Sequence, residues 1–376
     1  MTCYPRLEID LDKLEHNARE VVRLCSASGI NVTGVIKGMS GIPEAAARFV
    51  SGGCVRIASS RLDQLEESRA FGIDVPTELL RIPMISEADR VIRSADISLN
   101  SELAVLKALN QAAGKAGKRH GVILMAEMGD LREGIWDREE LMETALAVEN
   151  DLEWLDLKGV GMNVGCTGAV MPTAETLEKF SKIAAAVEEE IGRPLEIISG
   201  GATTSISRLF EGDMPENIND LRVGEQILLA WDLDRFMNYD LSNMYQDIFR
   251  LKAEIIELKE KPTYPIGTIG FDAFGHIPTF TDKGIRKRAL VALGKYDFGS
   301  DPGEITPIDP PGITIEGASS DHTILDVEDA GPVRLCDENG NVTERPLAVG
   351  DIVTFRVNYA ALVYLTNTPE VEVAFV

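Results

Sequence analysis

A lysine ends one of the first apolar runs of this sequence. The stretch VTGVIKGMSG (residues 32–41) places Lys37 behind β-branched residues and in front of two glycines and a serine. Lysine is seldom buried without a partner, so its ammonium group either lies in solvent at a strand end or points into a site. These ten residues alone leave both interpretations open.

A second candidate segment is the glycine-rich loop SGGATTS, residues 199–205. Two glycines allow the backbone to approach an anion closely, and three hydroxyl side chains follow them. Loops of this composition are also ordinary turns, so the motif by itself does not decide. The candidate phosphate-binding residues are Ser199, Gly200, Thr203 and Thr204.

Polar residues follow three other apolar runs. Arg132 comes after GVILMAE. Asn163 is the last residue of LKGVGMN, and Cys166 follows it in the next loop. Arg222 lies in LRVGE, together with Gly224 and Glu225. A lysine at one strand end and a phosphate loop at another together predict a phosphorylated aldehyde cofactor, bound to Lys37 as a Schiff base.

The elements that must position these residues alternate between strand-like and helix-like patterns. Eight β-rich runs occupy residues 32–37, 54–58, 78–82, 95–99, 121–127, 157–163, 195–199 and 221–224. Between them lie amphipathic stretches such as 11–25 and 176–192, with apolar residues three and four apart. This alternation predicts an α/β fold with a TIM-like (β/α)8 barrel, whose catalytic groups lie at the carboxyl ends of the strands. No GxGxxG follows the early strands, which disfavours a dinucleotide-binding sheet.

The second part of the chain has a different residue pattern. After about residue 245, β-branched runs are separated by Gly, Pro and Asp, which predicts a C-terminal all-β domain. We expect a barrel over residues 1–235 and a β domain over residues 236–376. The first strand, about residues 5–10, is a candidate to pair with the β domain.

Composition excludes several classes of protein. The net charge of −24 disfavours nucleic-acid binding, and no apolar run has the roughly 18–20 residues that cross a membrane. Five scattered cysteines without a CxxC pair suit a reducing cytoplasm, with Cys166 interpreted as a small buried hydrophobe. The four histidines form no metal-like pair, so no metal site is expected.

Several segments, in this order and spacing, resemble the alanine racemase-like, fold-type III enzymes that use pyridoxal 5′-phosphate (PLP). They are EIDLDKLEHN, VIKG, LLRIPM, ADISLNSEL, GDLREG, SGGATTS, LRVGE, IELKEKP, GIRKRALVALG and GASSDHTILDV, across residues 7 to 330. Within this family they are most similar to ornithine racemases. The resemblance implies a PLP barrel with a β domain, in a homodimer whose active sites take residues from both chains.

The resemblance also implies roles for particular residues. Lys37 matches the lysine that binds PLP, and Arg222 matches the arginine that pairs with the pyridine nitrogen. Thr203 and Thr204 lie where the family has a phosphate-binding serine. Gly224 and Glu225 follow Arg222 as the family's phosphate-binding amides do, and Tyr359 matches a late tyrosine that reaches the phosphate.

Two matches concern the substrate. Arg132 lies in the family's arginine–x–glycine loop, near the ring hydroxyl or the substrate carboxylate. Asn163 stands where alanine racemases have a histidine beside the ring, and this departure argues against alanine as the substrate. The substrate that the resemblance implies is ornithine or a related basic amino acid. A racemase of alanine, lysine or serine and a non-catalytic PLP-binding protein are the alternatives.

Racemisation requires a second proton-transfer group, because a proton leaves one face of the substrate and another arrives on the opposite face. The family supplies a tyrosine from a glycine–tyrosine–x–aspartate segment. Here that segment is LGKYDFG, which places Lys295 at the tyrosine position and Tyr296 one residue later. On a strand this shift would turn Tyr296 to the other face unless a bulge restores it. His322, with Asp321 beside it in GASSDHTILDV, is therefore the preferred candidate.

Two other activities of this fold are disfavoured. Decarboxylases take a catalytic cysteine from the β domain, where this chain has only Cys336, in the turn-like RLCDENGN. Metal-assisted aldolases and dehydratases need a His–x–Cys metal pair, and the sequence has none.

Overall fold

The computed structural model describes residues 3–336 and 341–376, which form two compact units. One unit is Leu11–Gln246, and the other joins the residues up to Asp10 with Asp247–Val376. The expected boundary at 235/236 falls inside the first unit. The reason is that the following segment bonds to the first helix: the Tyr245 amide donates to Asn17 Oδ1 (2.8 Å), and a His16 ring nitrogen lies 2.8 Å from the Asn243 carbonyl oxygen.

The first unit is a closed barrel of eight parallel strands, as predicted. After β1 (Arg6–Ile9), which belongs to the second unit, the barrel strands are β2 (Asn31–Val35), β3 (Arg56–Ser59), β4 (Thr77–Leu79), β5 (Ile97–Asn100), β6 (His120–Met125), β7 (Leu155–Gly161), β8 (Ile197–Ser199) and β9 (Asp220–Val223). β2 pairs with β9 to close the barrel, with Val32 opposite Leu221. The run 78–82 ends its strand at Leu79, earlier than expected.

Helices surround the barrel strands. They are α1 (Leu11–Ser26), α2 (Pro43–Ser51), α3 (Leu62–Phe71), α4 (Ala88–Ser94), α5 (Leu103–Ala116), α6 (Arg138–Asn150), α7 (Ala174–Ile191), α8 (Ser207–Glu211), α9 (Glu225–Leu228) and α10 (Asp232–Arg235), with 3-10 turns at Lys37–Met39, Ile85–Glu87 and Thr203–Ile206. The two ends of α7 show how the sequence starts and stops a helix. The Thr173 hydroxyl accepts the Thr176 amide at its start, and Gly192 ends it in a left-handed conformation (φ +73°).

Two apolar clusters stabilise the barrel. The larger lies between strands and helices and includes Leu79, Leu106, Val122 and Phe180. The smaller consists of Ile97, Leu99, Ile123, Met125 and Ile197, from strands β5, β6 and β8. The strands are therefore apolar on both faces, as expected of a parallel sheet covered by helices.

The second unit is built on an antiparallel sheet. Its further elements are β10 (Phe249–Pro262), β11 (Ile285–Val291), α11 (Lys295–Phe298), a 3-10 turn at Pro302–Glu304, β12 (Ile305–Asp309), β13 (Thr314–Ala318), β14 (Thr323–Asp326), β15 (Val333–Cys336), β16 (Val342–Arg345), β17 (Ile352–Val357), α12 (Tyr359–Leu365) and β18 (Glu372–Phe375). The strand order is β12-β17-β10-β11-β14-β13, and β15 pairs with β16. β1 pairs with β10 and β18, which joins the start of the chain to this sheet.

In the part of the chain that the structure describes, no helix combines the length and the apolar character needed to cross a membrane.

Candidate active site

Lys37 lies just beyond the carboxyl end of β2, in the first position of a 3-10 turn. The Ile36 amide donates to the Ala58 carbonyl (2.9 Å), which holds this segment against β3. The chain then turns through Ser40, whose φ is +51°. The Lys37 side chain is half-buried, so it does not extend freely into solvent.

The surroundings of Lys37 lower the pKa of its ammonium group. Burial is the main cause that lowers the pKa of Lys37, followed by the positive charge of Arg132. Cys166 and Glu133 act in the opposite direction, and Arg222 lowers the pKa further. A lysine amine that is neutral more often near pH 7 is a better nucleophile and a better base.

The loop after β6 positions Arg132. The Glu127 carboxylate accepts hydrogen bonds from the amides of Gly129 (2.6 Å), Leu131 (3.1 Å) and Arg132 (3.1 Å). The Arg132 guanidinium pairs with Glu133 and donates to Cys166 Sγ (2.9 Å). Sequence reasoning missed Glu127, although an acidic residue directly after an apolar strand was a visible signal.

Cys166 lies on a loop after β7 and is exposed, so the interpretation as a buried hydrophobe was wrong. The cause is the loop conformation. Asp130 Oδ1 accepts hydrogen bonds from the backbone amides of Cys166 (3.3 Å) and Val170 (3.2 Å). These bonds connect this loop to the loop after β6, which carries Arg132. Asn163 lies at the start of the same loop and is half-buried.

The glycine-rich loop after β8 forms a tight turn. Gly201 has φ +115°, and a Cβ atom there would lie 2.5 Å from Ser205 Oγ. Within the described residues, the buried Thr204 Oγ1 has no hydrogen-bond partner, whereas Thr203 Oγ1 accepts the Gln226 amide (3.3 Å). A loop whose backbone packs this closely at Gly201, with the unpaired hydroxyl of Thr204, is suited to bind an anion.

Gly224 and Glu225 lead from β9 into α9. A Cβ atom on Gly224 would lie 3.1 Å from Val35 Cβ, so this turn passes close to the end of β2. The Glu225 carboxylate accepts the amides of Trp231 (2.9 Å) and Asp232 (3.4 Å), and burial raises its pKa to about 7. The Glu225 side chain therefore holds the following turn.

Arg222 is almost completely buried, with 4% of its surface exposed. Its guanidinium donates to Ser199 Oγ and to the Met162 carbonyl oxygen (2.6 Å). Ser199 Oγ in turn donates to Asp220 Oδ2 (2.5 Å). This chain of bonds fixes the guanidinium across β7, β8 and β9. Asp220 was not identified from the sequence, where a carboxylate in a buried strand was the available signal.

The second unit brings the candidate second bases together. The amides of Lys295 and Tyr296 donate to the carbonyl oxygens of Ser319 and Ser320 (both 2.9 Å). His322 Nδ1 lies 3.3 Å from Asp321 Oδ2, and both side chains are exposed to solvent. Hydrogen bonds from Ser320 and Ser319 lower the pKa of Asp321.

The expectation that Tyr296 lies on a strand was wrong. The strand β11 ends at Val291, and residues Lys295–Phe298 form the helical turn α11. The alternation of strand faces therefore does not apply to Lys295 and Tyr296. Gly294, directly before this turn, passes close to residues 320–321, where a Cβ atom would lie 2.3 Å from the Ser320 carbonyl oxygen. Tyr296 is 67% exposed, and Lys295 Nζ lies 3.9 Å from the centre of the Phe274 ring.

Tyr359 also lies in this unit, at the start of α12. Asn358 Oδ1 accepts the Ala361 amide (2.9 Å) and so caps the helix in front of it. Cys336 ends β15, and the rest of the segment RLCDENGN up to residue 340 lies outside the described residues.

No group of three or more His, Cys, Asp or Glu side chains in residues 3–336 and 341–376 is placed to hold a metal ion. The barrel end thus combines an amine of lowered pKa, two arginines and a glycine-rich loop.

Comparison with known proteins agrees with this geometry. Residues 9–229 match the family model "Alanine racemase, N-terminal domain". Over 361 residues the chain is 42% identical to the ornithine racemase of Acetoanaerobium sticklandii, covering 96% of each chain. The chain belongs to the alanine racemase family. Another relative is the lysine racemase of Thermotoga maritima, 37% identical over 98% of each chain.

The fold of this alanine racemase family member is shared with solved structures. An alanine racemase of Clostridium difficile 630 superposes with a TM-score of 0.73 at 18% identity, covering 100% of this chain and 96% of the other. The barrel and the β-sheet unit are thus the architecture expected from the resemblance.

Proposed function

We propose that this protein is a PLP-dependent racemase that interconverts L- and D-ornithine, or a closely related basic amino acid. The observation that carries the proposal is the placement of Lys37, with its lowered pKa, at the strand end within electrostatic range of Arg132 and Arg222. The similarity to an ornithine racemase over nearly the whole chain supports the substrate.

The residues present fit PLP. The buried, unpaired Thr204 Oγ1 and the tight turn at Gly201 suit a phosphate, and Lys37 offers an amine to the aldehyde. Arg222 would face the ring nitrogen, as in the family, and Tyr359 would reach the phosphate. Ser199, Gly200, Thr203, Gly224 and Glu225 would build or support the phosphate loop, and Arg132 and Asn163 would lie beside the ring.

When bound, PLP withdraws electrons from the α-carbon and so makes its C–H bond acidic. Lys37 Nζ accepts the α-proton from one face of the amino acid and returns it there in the reverse direction. Arg222 is always charged, and its bonds to Ser199 and Met162 prevent it from moving away. Arg132 is the candidate to bind the substrate carboxylate.

The second proton-transfer group is His322, and Tyr296 is the alternative. Histidine is the most common general acid–base side chain, and Asp321 Oδ2 lies 3.3 Å from His322 Nδ1, where it can orient the ring. Deuterium exchange at the α-carbon distinguishes the two. We expect His322→Ala to exchange the α-proton of one enantiomer through Lys37 without racemising it. Normal racemisation by His322→Ala together with loss of racemisation in Tyr296→Phe would assign the role to Tyr296.

Ornithine is the preferred substrate for a chemical reason as well. Asp321 is an exposed carboxylate whose hydrogen bonds with Ser319 and Ser320 favour its ionised form, so it is able to bind a cationic side chain. The replacement of the family's histidine by Asn163 also separates this site from those of alanine racemases.

The test is a panel of L-amino acids given to the PLP-loaded protein, with chiral chromatography of the products. We expect kcat/KM to be highest for ornithine, lower for lysine and at least about 100-fold lower for alanine and serine, because a missing charge contact costs a few kcal/mol. Equal rates for alanine and ornithine would contradict the substrate assignment. Absence of any D-amino acid would contradict the function.

Two further proposals follow from the family and from the composition. The active form is a homodimer in which each site takes residues from the β-sheet unit of a second copy. The protein works in the cytoplasm, where its free thiols stay reduced.

A further inference from the structure

Glu78 is a buried carboxyl group in the interior of the barrel. It lies in the middle of β4 and has 0% of its surface exposed. Its neighbours Thr77 and Leu79 face outward, since Thr77 Oγ1 accepts from Arg69 of α3 (3.1 Å) and Leu79 belongs to the cluster beneath the helices. Because side chains alternate along a strand, Glu78 points inward.

Both carboxyl oxygens of Glu78 lack a hydrogen-bond partner among the described residues. Asp220, on β9, is in contrast fully engaged. It accepts hydrogen bonds from Thr33 Oγ1 (2.8 Å) and Ser199 Oγ (2.5 Å) and pairs with Arg56. A buried carboxyl group without hydrogen bonds is costly when ionised, so this one requires an explanation.

The charged groups that face Glu78 come from two strands. Arg56 Nε of β3 lies 3.7 Å from Glu78 Oε2, and Asp220 and Arg222 of β9 act on it electrostatically. The other neighbouring strand, β5, carries no charged side chain. The two arginines and two carboxyl groups are therefore neutral together when Glu78 is ionised and carry one positive charge when it is protonated.

The titration of Glu78 falls closer to neutral pH than that of an ordinary glutamate. Burial is the main cause that raises the pKa of Glu78, and the charge of Asp220 adds to it, while Arg222 and Arg56 oppose the shift. Ionisation of this one group thus changes the net charge of the cluster that contains Arg222.

We propose that Glu78 is a positioning residue whose ionisation sets the net charge of the Arg56–Asp220–Arg222 cluster, and through it the strength with which the barrel end binds an anionic ligand. The proposal rests on the proposed function only in taking the ligand to be a pyridine phosphate. It assigns no proton transfer to the substrate. Glu78 acts through Arg222, whose guanidinium lies within electrostatic range of Lys37.

The test compares wild type with Glu78→Gln, which keeps the volume and removes the charge. The probe is pyridoxine 5′-phosphate, which lacks the aldehyde and so binds without reacting with Lys37. Its Kd is measured on protein freed of PLP between about pH 5.5 and pH 8.5. The ratio of the wild-type Kd to that of the variant cancels the titration of the probe itself.

We expect this ratio to be near one at low pH, where wild-type Glu78 is protonated, and to rise to about tenfold at high pH, the size expected for one charge at roughly 10 Å in a protein interior. Asp156→Asn, which removes a carboxylate from a surface pair with Arg119, should show no such rise. A ratio that does not change with pH, or an equal loss of binding at every pH, would overturn the proposal.

Infrared spectroscopy of Glu225→Gln, which removes the other buried glutamate whose pKa is raised to about 7, guards against a Glu78 variant that fails to fold. A protonated buried carboxyl group gives a separate C=O stretching band, which we expect to disappear as the pH rises through neutrality. Absence of such a band at low pH would overturn the proposal. Neither readout requires turnover, so a protein that fails to racemise ornithine but shows the pH-dependent ratio would contradict only the proposed function.

Discussion

Lys37 has both the position and the lowered pKa that a reactive amine needs. The side chain leaves the barrel where β2 ends, and burial together with Arg132 lowers its pKa. A lysine at a solvated strand end would keep its ordinary pKa. The direction of this shift is what an amine needs to bond to an aldehyde and to exchange a proton near neutral pH.

Replacement of Lys37 tests this directly. We expect Lys37→Ala to lower racemisation by at least about 1,000-fold, since general base catalysis alone contributes roughly 10²–10⁴-fold. Absorption by lysine-bound PLP near 420 nm, roughly where such a species absorbs, should disappear as well. Lys158→Ala, which removes a surface pair with Glu196, is the matched control and should keep both. Near-normal turnover by Lys37→Ala would show that another group removes the α-proton.

The positions of residues that lie in recognisable motifs were easier to predict than those of residues whose roles depend on contacts with distant parts of the chain. Lys37, Arg222 and the glycine loop lie in motifs, so their types and order predicted the strand ends at which they are found. Glu127, Asp220 and Glu78 lie in or beside apolar strands, and their partners come from distant parts of the chain. Cys166 was misplaced for the same reason, because Asp130 decides the conformation of its loop.

At the scale of elements, the alternating pattern predicted all eight barrel strands to within a few residues. Periodicity is a strong signal there because each strand is buried on both faces and each helix on one. It failed at the LGKYDFG segment, where residues 295–298 form a helical turn that is hydrogen-bonded to residues 319–320. The residue pattern assigned segment 236–246 to the second unit. Its hydrogen bonds to α1, which the sequence does not reveal, connect it to the first unit instead.

The glycine-rich loop gives a prediction at this scale. In Gly201→Ala a Cβ atom would lie 2.5 Å from Ser205 Oγ, at a φ of +115° that strains any other residue. We expect PLP affinity to fall at least about tenfold, because the loop must shift away from the phosphate. Gly192→Ala is the matched control. It also has a positive φ, but no atom lies within 4 Å of its Cβ position, so it should cost about 1 kcal/mol of stability and leave PLP affinity unchanged.

The turn between α9 and α10 gives a pH-dependent prediction. Burial raises the pKa of Glu225 to about 7, so the folded protein binds a proton there more tightly than the unfolded chain does. Its contribution to stability is therefore fully present below about pH 4.5 and is lost as the pH rises through 7.

Glu225→Gln keeps an acceptor for the Trp231 amide and removes this titration. We expect the difference in the free energy of unfolding, wild type minus variant, to fall by roughly 3 kcal/mol between about pH 4.5 and pH 8, measured by urea unfolding without PLP. A difference that stays constant across this range would show that Glu225 does not titrate as described.

At the scale of the whole molecule, the candidate residues are divided between two units. Lys37 and most of the proposed PLP-binding residues lie in the barrel unit, and Tyr296, Asp321, His322 and Tyr359 lie in the β-sheet unit. Under the proposal that each site combines both units from different chains, the homodimer is necessary for activity.

Complementation tests this arrangement. Lys37→Ala and His322→Ala, each inactive in racemisation, are unfolded, mixed in equal amounts and refolded together. Half of the dimers are then mixed, and each mixed dimer contains one intact site, so we expect about a quarter of the wild-type activity to return. No recovery, in samples where sedimentation shows dimers, would indicate that each site is completed within one chain.

The measurement that tests the proposed racemase activity most directly starts from both enantiomers. Pure L-ornithine and pure D-ornithine are incubated separately with the PLP-loaded protein, and their composition is followed by chiral chromatography. Enantiomers have equal free energies in water, so a racemase must bring both samples to the same equal mixture, with total ornithine conserved. Conversion of ornithine to an amine or a keto acid, or an unchanged enantiomer in either sample, would contradict the proposed function.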